Sequence, residues 1–342
     1  MRPDAFKKVS FLVILVLTIG LFSLSEAYAK EIVLRFASGY VPYPHKFSPE
    51  EVKGPEAFCA LINKKGVGKV KVEFYPAGQL FKDKDMMTAI PEGGVDMGIT
   101  TMSQWAGLIP AVTLYELPFF FNNEEHFQKV FYSKAGELIG KEFEKKNLKI
   151  LGIWKNGPLV LLNKKKEIIA PDLSGFKLRV FGKVPAELIT ELSGAPVFMS
   201  ASEIYLALQR GTVDGLITTP YGMVGYKLYE VTKYVTSFPN YWTTFPILIN
   251  LKTWDSLPDD IKDIISKSAK EILDISKNEK WCVDHASEAF EIAVKQGMIK
   301  HDLTVAEYQD WKRKSVAVAE KFEKEVGDFG KKLVQYAIEA GK

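Results

Sequence analysis

Residues 174–181, which read SGFKLRVF, decide the fold prediction for this chain. Phe176, Leu178 and Val180 are apolar and occupy every second position, which is the period typical of a β-strand. The Pro171-Asp172 pair before the segment and Gly175 at its start indicate a turn. Arg179 lies on the opposite face of this strand. If that face lines a cleft, its guanidinium is a fixed partner for a carboxylate in a planar, bidentate pair; the alternative is a solvated surface arginine.

Strands and helices alternate along the chain before this segment. The patterns predict strands over 31–36, 69–75, 95–100, 148–154 and 159–163, and helices over 50–64, 83–90 and 124–146. This alternation predicts an α/β fold with parallel sheets built from βαβ units. A helical pattern from Pro258 to about Gly297 exceeds the usual globular helix, so it predicts a helix that bridges two lobes or breaks near Trp281.

One pattern occurs twice. Residues 88–101 read TAIPEGGVDMGITT, and residues 206–219 read LALQRGTVDGLITT. Each copy predicts a helix end, a glycine in the left-handed conformation after the helix, and a buried strand. The aspartate of each copy suits a turn or a hydrogen bond from nearby backbone N–H. The shared glycines and aspartates are Gly93 and Gly211, and Asp96 and Asp214. We therefore predict two lobes of similar construction.

Each copy ends in a Thr-Thr pair, the second being Thr218-Thr219. In open α/β sheets, ligands bind beyond the carboxyl ends of the strands. The pairs that end in Thr101 and Thr219 are therefore candidate cleft hydroxyls. Alternatively they are β-branched residues that simply suit a strand.

The first 29 residues have the pattern of a secretory signal peptide. A basic end precedes an apolar run from Val9 to Leu24, and the small-x-small sequence Ala27-Tyr28-Ala29 predicts cleavage near Ala29. An uncleaved anchor is the alternative, which the short run disfavours. We expect an exported protein. The mature length of about 310 residues exceeds one ordinary core and predicts two domains.

The composition excludes several classes of function. A net charge of +3 gives no support for a nucleic-acid partner. Cys59 and Cys282 are the two cysteines, and they could pair in an oxidising compartment or be buried thiols in helices. The four histidines are scattered and form no metal motif, so no metal or cofactor is predicted. We find no nucleophile elbow, His-Glu-x-x-His motif or phosphate loop, so nothing indicates an enzyme.

An ordered set of segments carries a family likeness. The segments are YPAGQL at 75–80, GGVDM at 93–97, ELPF at 116–119, DLSGFKLRV at 172–180, EIYLALQ at 203–209, VDG at 213–215, and 254–258. Together they resemble the solute-binding proteins of tripartite ATP-independent periplasmic (TRAP) transporters, the DctP-type family, over nearly all of the mature chain. The resemblance implies a two-lobed periplasmic-binding-protein-like α/β fold, a long helix spanning both lobes, and closure of a cleft on a small organic acid. It also implies delivery to TRAP membrane permease subunits and no catalysis.

The resemblance leads us to expect the following domains. Residues 1–29 are the signal peptide, 30–155 plus 244–282 form lobe I, and 156–243 plus 283–342 form lobe II with the C-terminal helices.

The resemblance also assigns ligand contacts. The family's central arginine, which pairs with the ligand carboxylate, corresponds to Arg179, and other contacts map to 217–219 and 100–103. With aromatic residues suited to a pocket wall, the predicted contacts are Arg179, Thr218, Thr219, Thr101, Tyr40, Phe181, Trp242 and Ala201.

Two departures from the family pattern bear on the ligand. Many relatives carry Gln-Glu-Asn-Pro after Val-Asp-Gly, whereas this chain has Leu-Ile-Thr-Thr-Pro at 216–220. The second arginine of sialic-acid binders, expected near 159–163, is absent, and the nearest cation is Lys155. We therefore expect a monocarboxylate, such as a 2-oxo or aromatic acid. The alternatives are a C4-dicarboxylate binder, an exported enzyme acting on organic acids, and a binding module coupled to a sensor.

Overall fold

The computed structural model describes residues 31–41, 54–272 and 286–342. The predicted signal peptide, the middle of the predicted long helix and Cys282 lie outside these residues.

A nine-stranded mixed sheet runs through the described residues. Its strands are β1 (Ile32–Ser38), β2 (Val70–Tyr75), β3 (Met97–Ile99), β4 (Leu148–Asn163), β5 (Lys177–Val180), β6 (Ala195–Phe198), β7 (Gly215–Thr218), β8 (Tyr234–Asn250) and β9 (Ile299–Asp302). Their order is β2-β1-β3-β8-β4-β7-β5-β6, and β9 pairs with β8. The prediction of an α/β fold is confirmed, and β5 coincides with the strand predicted around Arg179.

Helices cover both faces of the sheet. They are α1 (Pro55–Lys65), α2 (Met86–Ala89), α3 (Met102–Trp105), α4 (Glu124–Phe131), α5 (Lys134–Glu144), α6 (Lys183–Glu191), α7 (Ile204–Arg210), α8 (Pro220–Gly225), α9 (Leu251–Ser256), α10 (Asp259–Ile272), α11 (286–295), α12 (Val305–Val326) and α13 (Asp328–Ala340). Short 3₁₀ turns cover Asp83–Asp85, Pro110–Glu116, Ala201–Glu203 and Leu228–Glu230. In the part of the chain described, none of the helices combines the length and the apolar character needed to cross a bilayer.

The two lobes have the same construction. In lobe I, β1, β2 and β3 pair in parallel with β1 in the centre; in lobe II, β5 takes the centre between β6 and β7. The repeated pattern supplies the same turn in both lobes, because Gly93 has φ 78° and Gly211 has φ 75°. Asp96 Oδ2 accepts a hydrogen bond of 2.8 Å from Arg35 N. Asp214 Oδ2 accepts one of 2.8 Å from Lys177 N. The predicted role of both aspartates is confirmed, since each ties its turn to the first strand of its lobe.

Strands β4 and β8 run antiparallel through both lobes. Their register shifts between Lys155 and Pro158 and again before Leu159. Between these positions Gly157 has φ 67°, a backbone conformation that suits glycine. The prediction of two separate strands over 148–163 is wrong. The Gly-Pro pair indicates a strand end, but here it shifts the register while the strand continues.

The prediction of one helix over 124–146 is also wrong in detail. The chain forms α4 and α5 with a break at Tyr132 and Ser133. Ser133 Oγ accepts a hydrogen bond of 3.1 Å from Ala135 N and thereby caps α5. The apolar spacing continues across the break, so periodicity alone does not reveal it.

Three apolar clusters form the core. One lies in lobe I, a second lies in lobe II, and the largest extends from both lobes to α12 and α13. Ile261 and Ile265 of α10 belong to the lobe I cluster, whereas Ala289 and Ala293 of α11 belong to the lobe II cluster. The two described ends of the predicted long helix therefore lie in different lobes. Cys59 is buried in α1, which agrees with the alternative of a buried thiol in a helix.

Candidate functional site

A cavity lies between the lobes, where the carboxyl ends of their strands face each other. Its described lining is Tyr40, Thr101, Trp154, Arg179, Phe181, Ala201, Ile204, Thr218, Thr219, Tyr221, Gly222, Tyr226, Thr243 and Phe245. The cavity has a volume of about 50 Å³. All predicted contacts except Trp242 line this cavity.

Arg179 is the cation among the described lining residues. It is 3% exposed, so the alternative of a solvated surface arginine is wrong. Its Nε donates a hydrogen bond of 3.0 Å to Met199 O, which fixes the plane of the guanidinium. Its Nη2 is buried and has no hydrogen-bond partner. A planar donor held in this way can bind a carboxylate oxygen.

Two influences shift the pKa of Arg179 in opposite directions. Burial lowers the pKa of Arg179, and the charge of Asp83 is the strongest influence that raises it. Asp83 is buried at the lobe I side and accepts a hydrogen bond of 3.2 Å from Gln104 Nε2. The guanidinium stays protonated, because the ordinary pKa of arginine is far above neutral.

Tyr40 and Thr101 form the lobe I side of the cavity. Thr101 N donates a hydrogen bond of 3.2 Å to Tyr40 Oη, and Thr100 Oγ1 lies 3.4 Å from the same oxygen. Burial and Asp83 raise the pKa of Tyr40, so its phenol stays neutral. The hydroxyl of Thr101 is buried without a hydrogen-bond partner, which leaves it available for a ligand.

Thr218 and Thr219 form the facing side in lobe II. Both are buried at the end of β7. Thr219 Oγ1 accepts a hydrogen bond of 3.0 Å from Gly222 N and caps α8. Ala201, which follows β6 at the start of the 3₁₀ turn, completes this side beside Arg179.

Aromatic rings form the remaining wall. Phe245 packs edge-on against Tyr40 at 5.1 Å between ring centroids, and Trp154 packs against Phe245 at 5.5 Å and against Tyr221 at 5.9 Å. The guanidinium carbon of Arg179 lies 5.8 Å from the ring centroid of Phe181. A mostly apolar wall with a few hydroxyls and one cation is typical of a site for a small organic anion.

The structure places Trp242, another predicted contact, outside the described lining of the cavity. It packs against Phe121 at 6.5 Å and Phe127 at 6.1 Å, and Lys155 Nζ lies 4.7 Å from its ring centroid. Successive side chains of a strand point to opposite faces. On β8 the cavity face is therefore that of Thr243 and its second neighbour along the strand, Phe245.

The lobes contact each other across the mouth of the cavity. Val41 N donates a hydrogen bond of 3.3 Å to Tyr226 Oη, and Tyr221 Oη donates one of 3.4 Å to Val41 O. Lys82 Nζ lies 3.4 Å from a carboxylate oxygen of Glu203. We call this arrangement the closed arrangement.

The sequence did not single out several lining residues as contacts, among them Tyr226, Ile204, Gly222, Thr243 and Phe245. Gly222 lies in α8 and Tyr226 directly after it, both shortly after the predicted Thr218-Thr219 pair, so proximity in sequence is a signal for them. Thr243 and Phe245 lie in a strand whose residues are buried on both faces, and no polar alternation distinguishes the cavity side.

The described residues contain no group of three or more His, Cys, Asp and Glu side chains placed to hold a metal ion. Their arrangement at the cavity is suited to binding an anion.

Comparison with known proteins finds solute-binding proteins of similar sequence and fold. The chain is 29% identical over 306 residues to the C4-dicarboxylate-binding periplasmic protein DctP of Rhodobacter capsulatus, covering 88% of this chain and 89% of that protein. The fold matches the sugar acid binding protein DctPAm of Advenella mimigardefordensis in complex with galactonate, with a TM-score of 0.80 and 25% identity, covering 91% of this chain and 99% of that one. It also matches a marine metagenome TRAP solute binding protein specific for pyroglutamate, with a TM-score of 0.81 and 22% identity, covering 91% and 99%.

The family model of bacterial extracellular solute-binding proteins, family 7 (DctP), matches residues 45–325. That span begins after β1 and covers most of both lobes, including the residues described here for the cavity except Tyr40. The chain therefore belongs to the DctP family of TRAP transporter solute-binding proteins.

Proposed function

We propose that this protein captures a small monocarboxylate in the periplasm and delivers it to TRAP membrane permease subunits. Arg179 binds the ligand carboxylate. The observation that carries the proposal is the buried Nη2 of Arg179, which lacks a hydrogen-bond partner within a cavity between two lobes. A buried donor without a partner costs about 1–3 kcal/mol, and a ligand carboxylate removes this cost.

The lining favours a ligand with one carboxylate. Arg179 is the cation among the lining residues that the structure describes, and these residues otherwise offer rings and hydroxyls. A second ligand carboxylate would meet Thr101, Thr218 or Thr219 instead of a positive charge. Burying a carboxylate without a counter-ion is costly, so a 2-oxo or aromatic monocarboxylate suits this site better than a dianion.

The size of the cavity favours a compact acid. The cavity is small, with a volume of about 50 Å³. An acid with few heavy atoms suits a space of this size, whereas a longer sugar acid requires the lobes to separate further.

Location and role follow from the family. Relatives are periplasmic binding proteins, and the first 29 residues match an export signal, so we propose that the mature chain begins after Ala29. The family is one of transport proteins without catalysis, and the described cavity presents an anion site. An exported organic-acid enzyme is therefore the weaker alternative.

A ligand screen tests the proposal. Thermal shift with pyroglutamate, 2-oxo acids, phenylpyruvate, succinate, malate and galactonate should rank a monocarboxylate first, and calorimetry should confirm its affinity. Recovery of the acid unchanged after incubation separates binding from catalysis.

One observation favours a second candidate. The relative in Rhodobacter capsulatus is described as C4-dicarboxylate-binding. If succinate or malate binds tightest, the preference for a monocarboxylate is wrong, and a cation outside the described lining must meet the second carboxylate.

A further inference from the structure

Glu116 is a buried carboxyl group directly behind the cavity wall. It ends the 3₁₀ turn Pro110–Glu116 and is 2% exposed. Its Oε1 accepts hydrogen bonds of 3.0 Å from Thr243 Oγ1 and 3.3 Å from Thr244 N. Ser103 also donates to it, through both its hydroxyl and its backbone N–H. Because Thr243 lines the cavity, the carboxyl group holds one of the side chains that face the ligand.

Ser103 connects this carboxyl group to the other lobe. Ser103 lies on α3 in lobe I, and its Oγ accepts a hydrogen bond of 3.0 Å from Val184 N at the start of α6 in lobe II. The approach is close, since a Cβ built on Gly182 would lie 2.5 Å from Ser103 Oγ. A hydrogen-bonded path therefore runs from the cavity wall at Thr243, through Glu116 and Ser103, to the backbone of lobe II.

We propose that Glu116 is a positioning residue for lobe closure, and that closure takes up a proton at its carboxyl group. This proposal rests on the proposed function in one respect, namely that closure of the lobes buries a ligand. In the closed arrangement the carboxyl group of Glu116 is buried, and the described residues place no cation against it. Burial without a counter-ion favours the neutral form of a carboxyl group. Opening of the lobes at Ser103 admits water, which stabilises the ionised form.

The surroundings of Glu116 support this proton linkage. Burial raises the pKa of Glu116 to about 7, and the hydrogen bonds from Thr244, Thr243 and Ser103 oppose that rise. On β8, Tyr241 lies close enough that Glu116 contributes to the raised pKa of its phenol. On α6, Glu187 influences the same phenol, and Lys183 lies 3.9 Å from a carboxylate oxygen of Glu187.

The other elements packed against the turn present uncharged buried side chains. These are Met102, Ser103, Gln104 and Trp105 of α3, Ala135, Ile139 and Phe143 of α5, Trp311, Ser315, Val318 and Phe322 of α12, and Leu333, Val334 and Ala337 of α13. Glu116 and Glu187 both influence the pKa of Tyr241. Glu187 is therefore the control acid for the test below.

The sign of the pH effect follows from proton linkage. A carboxyl group with a raised pKa in the closed arrangement and an ordinary pKa in the open one favours closure at low pH. The ratio of closed to open molecules should fall about tenfold between pH 6 and pH 8.5. This holds without ligand, so it does not depend on which acid the cavity binds.

Distance measurement between spin labels tests the proposal on the ligand-free mature chain. The labels are placed on Val67→Cys in lobe I and Thr212→Cys in lobe II, and both natural cysteines are replaced by alanine. As the pH rises, the population of molecules with the short distance between the labels should decrease. Glu116→Gln should remove this pH dependence and hold the population of the short distance at its wild-type level for pH 6. Glu187→Gln should retain the pH dependence of the wild type.

Two results would overturn the proposal. One is a wild-type distance distribution that is the same at pH 6 and pH 8.5, and the other is a Glu116→Gln variant that retains the wild-type pH dependence. Ser103→Ala provides a second test that keeps the carboxyl group, and it should lengthen the distances at pH 6. Unchanged distances in Ser103→Ala would exclude the path to lobe II.

Discussion

At the scale of single residues, Arg179 decides whether the cavity binds an acid. Removing one partner of a hydrogen-bonded charge pair costs about 2–5 kcal/mol. We therefore expect Arg179→Ala to weaken binding of the best acid from the screen by well over tenfold in calorimetry. Arg179→Lys should not restore it, because an ammonium group cannot reproduce a planar fork held by Met199 O.

A matched control uses another arginine. Arg210 lies exposed at the end of α7, away from the cavity lining, so Arg210→Ala should bind the acid as the wild type does. Wild-type affinity in Arg179→Ala would show that the carboxylate binds elsewhere.

The site residues that the sequence predicts carry a local signal, whereas the position of the other residues depends on pairing between distant strands. Arg179 is a charged residue within an apolar alternation, and the threonines close a repeated pattern, so each carries a local signal. Trp242 and Thr243 lie in a stretch of β8 that is buried on both sides. The side that faces the cavity is set by pairing with β4, which is a contact between distant parts of the chain.

At the scale of elements, the same distinction holds. The strand around Arg179 and the turns at Gly93 and Gly211 were predicted because alternation and glycine conformation are local properties. The continuity of β4 was not predicted, because β8 continues to pair with it across the Gly157-Pro158 break. Tertiary pairing there overrides a local signal for a strand end.

The contact between α3 and α6 leads to a prediction about packing. Gly182 has an extended backbone, φ −176°, so alanine is conformationally acceptable there. The added methyl group would nevertheless meet Ser103 at 2.5 Å. Overpacking typically costs about 1–3 kcal/mol, and Gly182→Ala should lower the free energy of unfolding in urea by that amount.

Gly140→Ala is the matched control. Gly140 lies inside α5, and a Cβ built there meets no atom within 4 Å. Removing a glycine from a helix interior stabilises by about 0.5–1 kcal/mol, so this variant should gain stability. A Gly182→Ala variant as stable as the wild type would mean that α3 and α6 separate without cost.

At the scale of the whole molecule, the repeated pattern predicts two similar lobes, and the structure has them. It does not predict that β4 and β8 join them into one sheet, because that pairing spans residues far apart in sequence. We keep the predicted lobe boundaries at 155/156 and 243/244 as a proposal, which the register shift beside Lys155 supports. The helices α12 and α13 belong to the core cluster that both lobes share.

This architecture predicts a hinge that ligand closes. The closed arrangement buries Arg179 Nη2 without a partner, which disfavours it in the absence of a carboxylate. The described cross-lobe bonds are those at Val41 and the bond from Val184 N to Ser103 Oγ, and the exposed pair of Lys82 and Glu203 contributes little. Without ligand the lobes should therefore separate about the β4–β8 crossing. A bound acid should shift the population to the closed arrangement, because it binds that arrangement better.

Small-angle X-ray scattering checks this prediction. The radius of gyration of the ligand-free protein should exceed the value calculated from this structure, and saturating acid should reduce it to that value. Arg179→Ala should show no compaction at the same acid concentration, because its guanidinium is what makes closure depend on the carboxylate. An unchanged radius of gyration under conditions where calorimetry shows saturation would mean that the lobes form one rigid body, and that the acid enters the cavity without hinge motion.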